Sequence, residues 1–406
     1  MLTSTSASQG TNPLAQWTQT IRGSAMRDML PLLTRPDLLS FAFGFPAQEL
    51  LPLAACRAAA TRALATGQQA LQYTMPSESL KRHLQRLLVS RGINCREDQI
   101  FPTTGAQQAI HLLVNLLLDQ RGQVLIEEVT YEGLHMAIHP LQPQVLTVPT
   151  EPGTGMDIDA VETHLNRGAR PAFIYVITDG HNPLGVSLNQ SARIRLVELA
   201  RRFHIPIIED DVFGFLNYDG QALPPLRALD DEWVFYIGSL SKILAPSMRV
   251  GWIVAPDMLK TPLSFLKHAS DLDITTLAHL TVSDYLNTGE MPDHLAVLRR
   301  EYGLRRDAML GALESYFPPE ARWNRPSTGM FIWVELPPEI DPVELLKIAI
   351  ETRQVAFMPG KIFGLPGISC SRNGIRLNFT HCPPAQIEEG VARLACVLKQ
   401  SMMRRK

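Results

Sequence analysis

Six short apolar runs govern what this chain can fold into. They occupy residues 123–126, 145–148, 172–177, 205–208, 234–237 and 250–254. Each is continuous rather than alternating, four to six residues long, and rich in β-branched side chains. Strands buried on both faces have this composition, because helices cover them above and below. Helical stretches lie around them. Ser77 can cap a helix running through Leu80, Leu84 and Leu87 to Gly92. Gly105 opens another through Ile110, Leu113 and Leu117, and residues 191–203 form a third between two of the runs. Strands alternating with helices predict the α/β class, with a mostly parallel sheet covered on both sides. After residue 290 the texture changes. Residues 293–316 read as one long helix, followed by strand-like segments 330–334 and 374–379. A smaller α+β domain is expected there. The expected division is an N-terminal arm and helix over 1–44 packing with the small domain, a large domain over 45–285, and the small domain over 286–406.

Composition narrows the function classes. Lys plus Arg number 38 against 40 for Asp plus Glu, so the chain lacks the basic surplus a nucleic-acid partner favours. The most apolar run, 109–118, is interrupted by His111 and Asn115. It falls far short of the ~20 residues of a membrane span, so no membrane partner is expected. The N-terminus lacks the basic start and apolar stretch of a secretory signal. Five scattered cysteines, with no C-x-x-C and no H-E-x-x-H, argue against a disulfide framework and a standard zinc site. Reduced thiols in a cytoplasmic protein are expected, with no metal.

The chemistry concentrates at the ends of the apolar runs, where open α/β sheets collect ligands. Gly238-Ser239-Leu240-Ser241-Lys242, with Arg249 following, places two hydroxyls, an amine and a guanidinium after one run. That set suits an anionic phosphate beside a reactive amine. Glu209-Asp210-Asp211 ends another run, and His181-Asn182-Pro183-Leu184-Gly185 forms a polar turn at a third. Gly105-Ala106-Gln107-Gln108 offers the backbone N–H groups of a helix start to an anion. Taken singly, each could be a cap or a turn.

In this order they resemble the fold-type-I, pyridoxal-phosphate-dependent aminotransferases, over nearly the whole chain. The resemblance runs from 40–46 (Ser-Phe-Ala-Phe-Gly-Phe-Pro) through Leu71-Gln72-Tyr73 and Thr130-Tyr131-Glu132-Gly133. It continues to Gly329-Met330-Phe331, Pro359-Gly360 and Arg376-Leu377-Asn378-Phe379. It looks closest to the branch of aminoadipate and kynurenine aminotransferases. It implies a homodimer that moves an amino group between an L-amino acid and a 2-oxo acid. By resemblance, Lys242 links covalently to the cofactor aldehyde and then moves the α-proton. Asp210 rather than Asp211 pairs with the pyridine nitrogen. Asn182 bonds the ring oxygen, and Tyr131 stacks on the ring. Arg249, Ser239, Ser241 and the backbone at Ala106 and Gln107 hold the phosphate. Tyr73 reaches across a dimer interface to the partner's phosphate. Arg376 clamps the substrate carboxylate, with Asn182 and Gly44 also at the substrate.

Several positions depart from the family. Phe213 stands where a tyrosine usually donates to the ring oxygen, so the lysine-bound cofactor is expected to hold its proton to higher pH. Thr178 and Gly180 replace a proline and an aromatic, and Gly180 is expected to remove bulk beside the substrate. His181 replaces a common glutamine. Phe43, Ser79, Ser247 and Thr328 stand where glycine is frequent, which implies altered loops or filled space. These changes leave open another chemistry on the same cofactor: elimination, cyclisation, oxidation or decarboxylation. Arg22 and Arg27 in the arm face either a distal acidic group or solvent. Two further readings are weaker. Ser239-Leu240-Ser241-Lys242 formally matches the S-x-x-K of serine acyl-enzymes, but Ser283-Asp284 is followed by Tyr285 and K-T-G is missing. A transcription regulator of this branch would need a winged helix ahead of the match, and only about 40 residues precede it here.

Overall fold

The computed structural model describes residues 14–20, 33, 35, 37–73, 78–151, 153–220, 222–365 and 373–403. Ser77, Arg22, Arg27 and Cys370 lie outside the described residues. The larger sheet has seven strands: β1 (Ile100–Thr103), β2 (Gln123–Glu127), β3 (Gln144–Val148), β4 (Ile174–Val176), β5 (Ile207–Asp210), β6 (Val234–Ser239) and β7 (Gly251–Val254). Their spatial order is β1-β7-β6-β5-β4-β2-β3. The pairs from β3 through β6 are parallel, and β7 is antiparallel to both β6 and β1.

All six apolar runs therefore become strands. One of them departs from the expected burial on both faces, and the sheet also holds a strand outside the six runs. Strand β3 is an edge, with Gln144 exposed and Val145, Leu146 and Thr147 only half-buried. Strand β1 escapes the apolar pattern because it holds Pro102. A proline cannot donate to a ladder and is tolerated at a sheet margin, which is where β1 lies.

Successive side chains of the central strands alternate between two helical layers. Tyr175, Ile208, Phe235 and Ile237 pack with Ile110 and Leu113 of α3 (Ala106–Leu117), Leu134 of α4 (Glu132–Ile138) and Leu263 of α7 (Lys260–Asp271). Ile174, Val176, Ile207 and Val234 pack with Val161 of α5 (Ile158–Asn166) and Leu196 of α6 (Gln190–Phe203). The Asn189 side chain caps α6 by accepting from Ala192 N at 2.9 Å. Ahead of these lie α1 (Leu53–Ala65) and α2 (Glu78–Val89), and α8 (Thr276–Asn287) packs on α1.

A second, antiparallel sheet takes the order β8-β9-β11-β10, from β8 (Arg322–Trp323), β9 (Phe331–Glu335), β10 (Met358–Pro359) and β11 (Gly374–Asn378). The long helix is α9 (Met291–Tyr316), and it packs along α11 (Pro384–Met403), which also meets α10 (Pro342–Arg353). Leu39–Ser40 pairs in parallel with Val355–Ala356 beside this second sheet. Among the described residues no helix is long and apolar enough to cross a membrane.

Candidate active site

Lys242 follows β6 directly, and its Nζ donates to the Gly44 carbonyl at 2.8 Å. Burial, with the charges of Arg376 and Arg249 adding to it, pulls this amine down to about 8. A lysine in that position has a much larger neutral fraction near physiological pH than an ordinary one and can act as a nucleophile or base.

Asp210 and Asp211 sit side by side at the end of β5, fully buried, in different company. Asp211 accepts from the Arg91 guanidinium at 3.1 Å and from the Tyr236 hydroxyl at 3.0 Å. Among the described residues Asp210 accepts only from Tyr175, whose hydroxyl meets Oδ2 at 2.6 Å, and its buried Oδ1 has no hydrogen-bond partner. Burial pushes Asp210 up to about 6, against the Tyr175 bond and together with the charge of Asp211. Each residue has an unpartnered Oδ1, but only Asp211 has a cation beside it.

Around the start of α3 the groups suit an anion. Gly105 precedes the helix at φ +79°, and a Cβ there would meet Arg249 Nη2 at 2.4 Å. Only glycine lets the guanidinium lie against the helix N-terminus, beside the backbone of Ala106 and Gln107. Arg249 Nη1 donates to Ser241 Oγ at 3.3 Å, and Ser239 Oγ accepts from the Ser241 N–H at 3.1 Å. Gln107 Nε2 donates to the Gly133 carbonyl at 2.8 Å, tying this helix start to that of α4, where Tyr131 sits. Burial raises the Tyr131 hydroxyl above its usual value, with the charges of Asp210 and Glu132 adding and those of Arg249 and Arg376 opposing.

Arg376 comes from the other sheet, on β11. Its Nη1 donates to Asn182 Oδ1 at 2.7 Å and its Nη2 to the Ala42 carbonyl at 2.5 Å. The guanidinium lies 4.1 Å from the Phe331 ring centre and 4.8 Å from that of Phe363. Burial pulls it down to about 9, which leaves it charged at neutral pH. Its Nε has no partner among the described residues. Phe213 is buried edge-to-face against Phe331, with centroids 5.8 Å apart, and brings no hydroxyl.

Gly44, Ala106, Gln107, Tyr131, Asn182, Asp210, Phe213, Ser239, Ser241, Lys242, Arg249 and Arg376 therefore gather between the two sheets. Tyr73 stands apart, 83% exposed. The expectation for Gly180 is corrected. Its φ is +61°, and a Cβ there would lie 2.7 Å from Gly329 Cα, so glycine serves a left-handed turn and a backbone crossing rather than an enlarged substrate space. Thr178 donates to Glu209 Oε1 at 2.9 Å, and Phe43 stacks on Phe45. His181 Nδ1 accepts from the Leu184 N–H at 3.3 Å, and its Nε2 lies 3.0 Å from Glu127 Oε2. Pattern reading missed Tyr175 and the Phe331–Phe363 bracket around Arg376. The signal for Tyr175 was a hydroxyl inside a fully apolar run, since a buried phenol needs a partner.

The donor set fits pyridoxal phosphate. Among the described residues a buried carboxylate oxygen lacks a partner, a helix start and guanidinium converge over a glycine, and a buried amine feels the charge of that guanidinium. A mostly parallel sheet with these groups at its strand ends defines a fold-type-I pyridoxal-phosphate enzyme. The family model described as "Aminotransferase class I and II" matches residues 36–394. The 2-aminoadipate transaminase of Thermus thermophilus is 37% identical over 384 residues, 93% of this chain and 94% of that protein. The aromatic-amino-acid aminotransferase 1 of Thermococcus litoralis is 34% identical, over 94% of this chain and 93% of that one. The crystal structure of Pyrococcus horikoshii kynurenine aminotransferase superposes with a TM-score of 0.89 at 33% identity, covering 95% of this chain and 97% of that one. The chain belongs to the class I and II aminotransferases, a pyridoxal-phosphate-dependent family of amino-group transfer.

Proposed function

We propose that amino-group exchange between an L-amino acid and a 2-oxo acid takes place at Lys242, and that the surrounding cluster divides the work. The observation that carries this reading is the unpartnered, buried Asp210 Oδ1 in the same cluster as a lysine whose amine is depressed to about 8. When bound, the cofactor supplies an aldehyde for amine capture and a cationic ring that accepts the electron pair left as the substrate Cα–H bond breaks.

The chain's own residues do the rest. Asp210 offers Oδ1 to the ring nitrogen and holds it protonated. Arg249, Ser239, Ser241 and the N–H groups of Ala106 and Gln107 bind the phosphate. Tyr131 covers a ring face. Asn182 commits Oδ1 to Arg376, leaving its amide N–H for the ring oxygen. Arg376 presents its free donors to the α-carboxylate. Lys242 Nζ, once released, takes the proton from the substrate α-carbon and holds it for return. The Gly44 carbonyl, which accepts from that amine, fixes where it waits.

Exposed Tyr73 fits a homodimer in which it completes the partner's phosphate site. The division at residues 45 and 286 and a cytoplasmic location belong to the same reading. The free thiols of Cys56, Cys95, Cys382 and Cys396 support that location. The test is to mix the cofactor-loaded protein with a panel of amino acids, following the spectrum and analysing products by mass spectrometry. Conversion of the cofactor to its amine form with release of a 2-oxo acid is expected. Protein that stays colourless with the aldehyde, and carries no borohydride-fixed adduct on Lys242, overturns the reading.

A further inference from the structure

Asp210 and Asp211 share a strand end and each accepts a tyrosine hydroxyl, yet the two tyrosines face different tasks. Asp211 has Arg91 at 3.1 Å as well as Tyr236 at 3.0 Å. Its charge is balanced within the fold. Among the described residues Asp210 has Tyr175 alone, at 2.6 Å on Oδ2. Tyr175 rises from β4, is fully buried, and packs in the layer beneath α3 and α4. The ionisable groups around Asp210 are Tyr175 from the neighbouring strand, Asp211 from its own, and Tyr131 from the start of α4. None of these is a cation.

We propose that Tyr175 is a positioning residue for the cofactor: its hydroxyl holds Asp210 by Oδ2, keeps that carboxylate ionised, and so leaves Oδ1 free to pair with the protonated ring nitrogen. The inference rests on the pyridoxal-phosphate reading above and adds a residue to it. The physical reason is a balance. A buried carboxylate without a cation prefers to take a proton. A hydrogen bond to the charged form opposes that preference. Without the Tyr175 hydroxyl, Asp210 binds a proton more readily, and a neutral acid cannot hold the ring nitrogen as a cation. The Tyr236 hydroxyl has no such leverage, because Arg91 already compensates Asp211.

The test compares Tyr175→Phe, Tyr236→Phe and wild type for retention of pyridoxal phosphate between pH 5.5 and about pH 9. Absorbance and equilibrium dialysis supply the readout, with far-UV circular dichroism confirming the fold. Tyr175→Phe removes one atom and leaves the ring to pack. It is expected to weaken retention by about tenfold or more near pH 6.5, and to converge on wild type at the alkaline end. Tyr236→Phe should follow the wild-type curve. A second measurement uses the deaza analogue, with carbon in place of the ring nitrogen. There Tyr175→Phe and wild type should bind equally, because the partner of Oδ1 has gone. A Tyr175→Phe curve that superposes on wild type, or an equal loss for both cofactors at every pH, overturns the proposal. Wild type that retains no cofactor at any pH sinks the parent reading instead, and this one with it.

Discussion

Two groups of charges lie close together in this molecule, and they are resolved in opposite ways. In the first, Arg91 and Arg193 meet Asp179 and Asp211, two cations against two anions. Arg193 contacts Asp179 at 2.6 Å, and Arg91 bridges Asp179 and Asp211 at 2.8 and 3.1 Å. All four side chains are at least 93% buried. In the second, Lys242, Arg249 and Arg376 act on one another as like charges, and among the described residues none of the three forms an ion pair with Asp210. Buried charges are costly unless paired. The first group is balanced in charge as folded. The second carries positive charge that the fold does not match, and the proposed phosphate and substrate carboxylate would supply the missing anions. The lesson is that the uncompensated group, rather than the most heavily charged one, marks the site.

That contrast can be broken in graded steps. The largest effect is expected from Lys242→Ala, which should lower amino-group transfer by a thousandfold or more, roughly the scale of a lost acid–base group. Its unfolding midpoint in urea should hold or rise, since a desolvated cation is removed. A marked fall in stability would mean that Lys242 is structural. In the balanced group, Arg91→Leu should do the reverse. It leaves two carboxylates to one guanidinium and should cost about 3–5 kcal/mol of stability by the same measurement. A variant as stable as wild type would show that the pairing carries no weight.

Arg376→Lys keeps the charge but loses the planar fork. It should raise KM for the amino acid by about tenfold to a hundredfold with little change in unfolding. An unchanged KM would remove Arg376 from the substrate. The amine of Lys242 gives a pH signature. Because it is depressed to about 8, the rate of cofactor capture by apoprotein should climb as pH rises through that value and then level off, as the neutral form becomes complete. A climb continuing to pH 10 would mean an ordinary lysine. The smallest effect is expected from Phe213→Tyr. A new donor to the ring oxygen should lower the midpoint of the visible absorbance transition by about one to two pH units. Equal midpoints would reject the idea that Phe213 makes the cofactor hold its proton longer.

Much of this was readable in the sequence, for identifiable reasons. Runs such as 234–237 declare themselves because strands buried on both faces have little compositional freedom. Lys242, Asp210 and Arg376 were legible because several separate motifs resemble one family in one order. Strand β1 was hidden by Pro102, since an edge strand relaxes the rule that apolar patterning relies on. Tyr175 was hidden because its ring satisfies the pattern of a core position while its hydroxyl does something else. Gly180 misled because its position in the chain says nothing of the backbone opposite it. The choice between Asp210 and Asp211 came from resemblance. The contrast that supports it, a guanidinium beside Asp211 and not beside Asp210, depends on Arg91, 120 positions distant from Asp211.

The meeting of Gly180 and Gly329 has a practical corollary. Gly180 lies two residues ahead of Asn182, and Gly329 lies two ahead of Phe331, so bare main chain forms the seam where the two sheets' loops touch. A single methyl at either place would act as a wedge, prising the amide-bearing loop from the aromatic floor under Arg376. Anyone reshaping this catalyst for new amines should leave that seam alone and carve elsewhere.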